Sequence, residues 1–227
     1  MKDHQANQPH VQVEDSRELQ DFQVSLELAI DSEFSYEEQG DMIGMSEVQA
    51  SKALAYRHLF DKTKSGAYLA LAKHAALAGV EIAQNSGIKE ALAIPTFNLA
   101  KIYEEIEEFD LAVRLYEEAL GFITNNPPKH QDREAVRLDF KLHLLILKLR
   151  MGDEEVLDEI KETISKLAEQ TDESDYNRKV WISGAYLKLA EILQKFEYLD
   201  EARKIIESDE RLGLRNIQWQ ELAEELE

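Results

Sequence analysis

Helix breakers are scarce in this chain. Nine glycines and four prolines are spread over 227 residues, and several of them fall in short polar breaks such as "KSG", "NSG", "NNPPKH", "MGD" and "RLGL". Between the breaks, apolar residues recur at spacings of three and four, the signature of one buried helix face. Val and Ile are mixed with Ala, Leu, Glu and Lys and form no alternating runs, so no strand or hairpin is expected. The reading is an all-α fold, with helices near 46–63, 66–84, 88–106, 109–124, 130–151, 153–169, 175–195, 198–209 and 215–226.

Residues 1–15 are polar and are expected to form a disordered tail. "DSREL" offers a capping box, Asp15 with Glu18. Leu19, Phe22, Leu26 and Ile30 follow at helical spacing, so an amphipathic helix is expected near 16–31, either capping the helical domain or lying in a groove of it. Residues 32–45, "SEFSYEEQGDMIGM", read as an irregular acidic linker broken at Gly40 and Gly44. Pro95 falls inside the 88–106 segment. It either kinks one helix or opens a shorter one after a separate turn, and the bent single helix is the reading taken here.

The helices come in pairs, and the second helix of each pair enters on a similar phrase: "GAYLALAKHAAL", "DLAVRLYEEAL", "DEEVLDEIKETI", "DEARKIIES". Matching Leu69, Ala112, Val156 and Ala202 gives spacings of 43, 44 and 46 residues on subtraction. A period above 40 suits stacked helical hairpins with variable loops. One hairpin cannot bury its own apolar face, so such units must stack.

The best-defined pair reads "TFNLAKIYEEIEEFDLAVRLYEEAL". With Leu99, Ala100 and Tyr103 in its first helix, Phe109 at the turn, and Ala112, Tyr116 and Ala119 in its second, it resembles a tetratricopeptide repeat (TPR). Thr96 stands where the family has Trp, Ala100 where it has Gly, and the closing proline comes late, as Pro127 or Pro128. Tyr186, Leu189, Ala190 and Leu193, then Ala202 and Ile206, follow the pattern more loosely. Leu144 stands where a small residue belongs, and in the first pair the second helix alone carries the pattern. The resemblance covers 46–209 at hairpin level and is specific in 96–120. It implies a right-handed α-α superhelix of about four hairpins, closed by a capping helix in 210–227 with apolar Ile217, Trp219, Leu222 and Leu226.

Acidic residues number 46 and basic ones 26, a net charge of -20. Nucleic acid is a poor partner for such a chain, because phosphate binding needs clustered positive charge. There is no cysteine, so neither a disulfide nor a thiolate site is possible. The start lacks the apolar core of a signal peptide. The most apolar run, "LHLLILKL", contains His143 and Lys148 and is too short to span a bilayer. A cytoplasmic protein without membrane insertion is expected.

No motif carries catalytic chemistry. None of the six histidines has a Glu three residues before it, as helical di-iron sites require. There is no H-E-x-x-H, no Gly-rich phosphate loop and no G-x-S-x-G. "SGIK" reads as a helix stop at Gly87 followed by a new start. Glu104, Glu105, Glu107, Glu108, Glu117 and Glu118 read as a solvated face, His74 and His143 as buried and hydrogen-bonded, and Trp181 and Trp219 as packing anchors. Neither cofactor nor metal is expected, and the chain is read as a non-enzyme.

What the resemblance implies instead is binding. TPR arrays line a concave groove with their first helices and hold a peptide or helix there. The register assigns Asn98 and Lys101 to that groove, with Lys188 in the fourth unit and Lys141 and Lys148 in the third. Asn and Lys so placed match in part the family's carboxylate clamp, which holds an acidic C-terminus by charge-assisted hydrogen bonds. The first unit supplies no clear Lys–Asn pair. Two functions stay open: a scaffold or adaptor for a protein or peptide partner, and a chaperone resembling the small acidic TPR chaperones of secretion systems.

Overall fold

The computed structural model describes residues 12, 13, 16 and 21–226. Among them are ten α-helices and no strand. The chain divides into two compact units, one ending at His130 and the other beginning at Gln131. The Asp15–Glu18 capping box and Leu19 lie outside the described residues.

The first unit contains α1 (Phe22–Gln39), α2 (Met42–Thr63), α3 (Gly66–Ser86), α4 (Ala93–Glu105) and α5 (Phe109–Asn125). Helices α1 and α2 form a hairpin joined at Gly40 and Asp41. Gly40 sits at φ 66°, the left-handed cap that glycine adopts without steric cost. The Asp41 carboxylate then accepts the Gly44 N–H at 2.9 Å and opens α2. The stretch expected to be an irregular linker is therefore helical on both sides of one tight turn. Gly44 does not break the chain but gives room: a Cβ there would stand 2.4 Å from the Tyr36 ring. Val13, within the tail expected to be disordered, is buried in a cluster with Ala29, Tyr36 and Val48, and its carbonyl accepts the Ser25 hydroxyl at 3.0 Å.

Pro95 lies in the first turn of α4, after a separate 3₁₀ turn at Lys89–Ala91. The expected single bent helix is two elements. The first-turn N–H groups of a helix have no intrahelical acceptor, so a residue without one fits there at little cost.

The second unit contains α6 (Glu134–Arg150), α7 (Leu157–Glu169), α8 (Asp175–Leu193), α9 (Phe196–Glu207) and α10 (Gly213–Leu226). Its core joins Leu142, Leu145 and Leu149 of α6 to Ile160, Ile164 and Leu167 of α7. Leu189 and Ala190 of α8 and Ala202 and Ile206 of α9 complete it. Helix α10 packs on α8 and α9. Trp219 Nε1 donates to the Leu199 carbonyl at 3.1 Å, and Arg203 lies over the same ring at 5.1 Å.

The loop before α8 caps two helices and holds an ion pair. Asp172 accepts the Glu134 N–H at 2.7 Å and so caps α6 from a distance. Glu173, with a side chain only 2% exposed, lies 2.7 Å from Arg133. The Ser174 hydroxyl accepts the Asn177 N–H at 3.1 Å and opens α8.

The pairs α2–α3, α4–α5, α6–α7 and α8–α9 are helical hairpins, and each has a left-handed residue between its two helices: Lys64, Glu107, Gly152 and Gln194. At Glu107 the geometry is a Schellman motif. Its N–H reaches the Glu104 carbonyl at 3.1 Å and the Glu108 N–H reaches the Tyr103 carbonyl at 2.9 Å.

Burial corrects the repeat register. Ala72, Ala76, Gly79 and Ala83 are buried on α3 at the same intervals as Ala112, Tyr116, Ala119 and Ile123 on α5. Ile160 and Ile164 on α7 match Ala202 and Ile206 on α9. Subtraction along Ala72, Ala112, Ile160 and Ala202 gives spacings of 40, 48 and 42. Leu69 and Val156 are each about one turn early and only partly buried. The long interval contains the extra 3₁₀ turn Glu154–Val156. Ala53 and Tyr56 on α2 also repeat the Ala100–Tyr103 step of α4.

Candidate functional site

In the first unit, α4 packs on α2, α3 and α5. Leu99 and Ile102 anchor it in a core shared with Ala53, Ala72 and Ala76. Phe97 meets Tyr116 edge-on at 5.5 Å, an arrangement that suits two aromatic quadrupoles. The Lys101 ammonium lies 4.1 Å from the Phe97 ring centre, one turn back on its own helix, and Lys73 lies 4.9 Å from that of Tyr103. Each cation thus rests on an aromatic face, which holds its stem in place. Asn98 is 6% exposed. The structure places Asn98 and Lys101 on successive turns of α4, Asn98 buried and Lys101 half-buried.

Lys141, Lys148 and Lys188 belong to the second unit. Lys141 pairs with Glu159 of α7 at 2.6 Å. Lys148 lies two turns further along α6, and Lys188 lies on α8; both are half-buried.

Sequence reasoning missed a cleft of about 380 Å³ in the second unit, walled by α7, α8 and α9. Ile164, Ile182, Ile205 and Tyr186 make its apolar lining, and Lys161, Arg178, Lys179, Asp175 and Glu201 its charged part. Its charges largely satisfy one another. Arg178 caps α7 through the carbonyls of Ala168, at 3.2 Å, and Gln170, and also reaches Asp175 at 3.3 Å. Lys179 pairs with Asp175 at 2.7 Å, and that hydrogen bond holds the Asp175 carboxyl below its ordinary value. Burial pushes the Tyr186 hydroxyl up, and Glu201 adds to it. No motif announces the cleft, because its walls converge from three helices.

No family model, curated protein or solved structure matches the chain.

The titratable groups expected to be inert divide differently from expectation. Glu104 is not on the solvent face: it is 7% exposed and accepts the Tyr116 hydroxyl at 2.6 Å. His74 is exposed on α3 rather than buried, and His143 is half-buried, 3.8 Å from Asp139. His130 lies 3.1 Å from the buried Glu47. His58 stacks on Phe22 and lies 3.5 Å from Asp61. Burial opposes ionisation of Asp61, but the His58 interaction and the charges of Arg57 and Lys64 outweigh it and hold that carboxyl below its ordinary value. Among the described residues no three His, Asp or Glu side chains group as a metal site, and no helix is long and apolar enough to cross a membrane.

Proposed function

We propose that the chain is a non-enzymatic protein-interaction module, a cytoplasmic TPR-like scaffold or adaptor that holds a peptide or helix of a partner. The observation that carries this reading is the repeated hairpin. In each unit the first helix of one hairpin packs on its mate and on the first helix of the next, α2 on α4 and α6 on α8, and all four hairpins turn through a left-handed residue. Within each unit, stacking of this kind sets first helices side by side, and helical-repeat arrays bind extended partners on such surfaces. In this reading the hairpins form a right-handed superhelix closed by α10, and Asn98, Lys101, Lys141, Lys148 and Lys188 face the partner.

The test is cross-linking and pull-down of the full chain from its native cell. A reproducible protein partner is expected, and a saturating search that returns none overturns the scaffold. With an acidic peptide as probe, Lys101→Ala and Lys188→Ala are expected to weaken binding. Unchanged affinity removes the clamp and leaves the scaffold standing. The net charge of -20 also suits a second reading, a chaperone dedicated to one client. Co-expression would then keep one otherwise insoluble client in solution.

A further inference from the structure

Between Phe22 and Tyr36, helix α1 turns small residues inward and the large Ile30 and Phe34 outward. The face against α2 is Phe22, Ser25, Ala29, Ser32 and Tyr36. Its hydroxyls are satisfied locally, Ser25 by the Val13 carbonyl and Ser32 by the Leu28 carbonyl at 2.8 Å. Small side chains let two helices approach closely, and Ile30 and Phe34 point away from that contact. Ile30 is 46% exposed, and Phe34, at 63%, is the most exposed large apolar side chain among the described residues. Four residues apart, they sit one above the other on the same side of the helix.

Charge says what kind of partner covers this stripe. Helix α1 has five acidic residues and no Lys or Arg. Glu33 faces α2, where Lys52 holds it at 3.0 Å and Gln49 donates to it. Glu27, Asp31, Glu37 and Glu38 are exposed around Ile30 and Phe34. The Gln23 amide donates to Glu27 at 3.0 Å. For Asp31, Glu37 and Glu38 there is no ion-pair partner among the described residues. A second copy would bring the same acidic rim against itself, and an anionic membrane would be repelled by it.

We propose that the outer face of α1 docks a basic amphipathic helix of a partner protein. The partner's apolar residues cover Ile30 and Phe34, and its Lys or Arg side chains meet Glu27, Asp31, Glu37 and Glu38. From Glu27 to Glu38 this surface runs for roughly 17 Å, about three helical turns. The surface lies on an element separate from Asn98 and the groove lysines, so it stands or fails independently of the function proposed above.

The experiment uses the full chain and a labelled synthetic helix of leucine and lysine, about four turns long, in fluorescence anisotropy at physiological salt. The Ile30→Ser/Phe34→Ser variant, checked for an unchanged thermal melt, is expected to bind roughly tenfold more weakly, as loss of a central aromatic anchor does. The Asp31→Lys/Glu38→Lys variant should lose a similar factor through charge. A peptide of the same composition with its leucines scrambled off one face should bind poorly to all. Equal affinity of the unchanged chain and the Ile30→Ser/Phe34→Ser variant overturns the proposal, since net charge alone would then capture the peptide. So does a dimer in sedimentation that Phe34→Ser dissociates, since a second copy would then be the occupant.

Discussion

The Tyr116 hydroxyl donates a 2.6 Å hydrogen bond to the Glu104 carboxylate, tying the last turn of α4 to the middle of α5. Both residues are buried, so the bond lies where water cannot replace it. Tyr116→Phe keeps the ring against Phe97 and removes the donor. A hydrogen bond to a charged group in such a place contributes on the order of 1–3 kcal/mol. Urea denaturation of the two proteins should show that loss with little change in slope. No shift in midpoint would mean that Glu104 is satisfied without Tyr116.

Glu107 holds a left-handed conformation at φ 63° in the Schellman turn between α4 and α5. A side chain pays roughly 1–2 kcal/mol there, part of which glycine returns as lost chain entropy. Glu107→Gly is therefore expected to raise stability by about 0.5–1 kcal/mol, read as an increase in melting temperature. A lower melting temperature would show that the exposed Glu107 side chain makes a compensating contribution.

Gly44→Ala should do the opposite. Alanine is the better helix former, but its Cβ would press on the Tyr36 ring from 2.4 Å. Tyr36 is buried and has little room to yield, so overpacking should cost about 1–3 kcal/mol. Denaturant midpoints of the two proteins decide it, and a stabilised variant would mean that the α1–α2 hairpin opens at small cost.

Asp209 accepts a two-pronged hydrogen bond from the Arg211 guanidinium, at 2.6 and 2.9 Å. That bond, with the Arg211 N–H and the charges of Arg211 and Lys179, overcomes burial and holds the Asp209 carboxyl far below the ordinary aspartate value. A carboxyl depressed by folding contributes stability above its unfolded value near 4. The contribution fades as pH falls from there through the lower folded value. Carbon-detected NMR titration should find Asp209 still ionised when ordinary aspartates are half-protonated. Arg211→Ala should move its midpoint back up, and an unmoved midpoint would assign the depression to another group.

Much of this architecture was legible because helical periodicity is a strong local signal. Ala112, Tyr116 and Ala119 are fully buried where the repeat pattern puts them, and Gly87 closes α3 as expected. What escaped depends on neighbours distant in the sequence. Glu104 is buried because its partner stands on the next helix, which no count of local glutamates can show. Lys64, Glu107 and Gln194 occupy turns where glycine would have announced the geometry. The register of α3 and α7 slipped by about a turn because Leu69 and Val156 look apolar enough to anchor a repeat, whereas close packing selected Ala72 and Ile160. The expected stripe on α1 held at Phe22 and gave way at Leu26 and Ile30 for the same reason: Ser25, Ala29 and Ser32 fit the contact better than larger side chains do. The lysines assigned to a groove lack any such check in periodicity, since a cation at a helix surface does not alter the apolar pattern.

The capping loop at 172–174 bears on how this protein can be shortened. Repeat arrays are usually trimmed one unit at a time, each cut removing its own share of stability. Here the α6 N–H donor at Glu134 and the Arg133 charge are both satisfied by residues that follow α7. A chain ended at Glu169 would keep both helices of that hairpin and still lose the end-piece of the first. The minimal fragment that melts as one cooperative body must therefore extend past the hairpin it is meant to isolate.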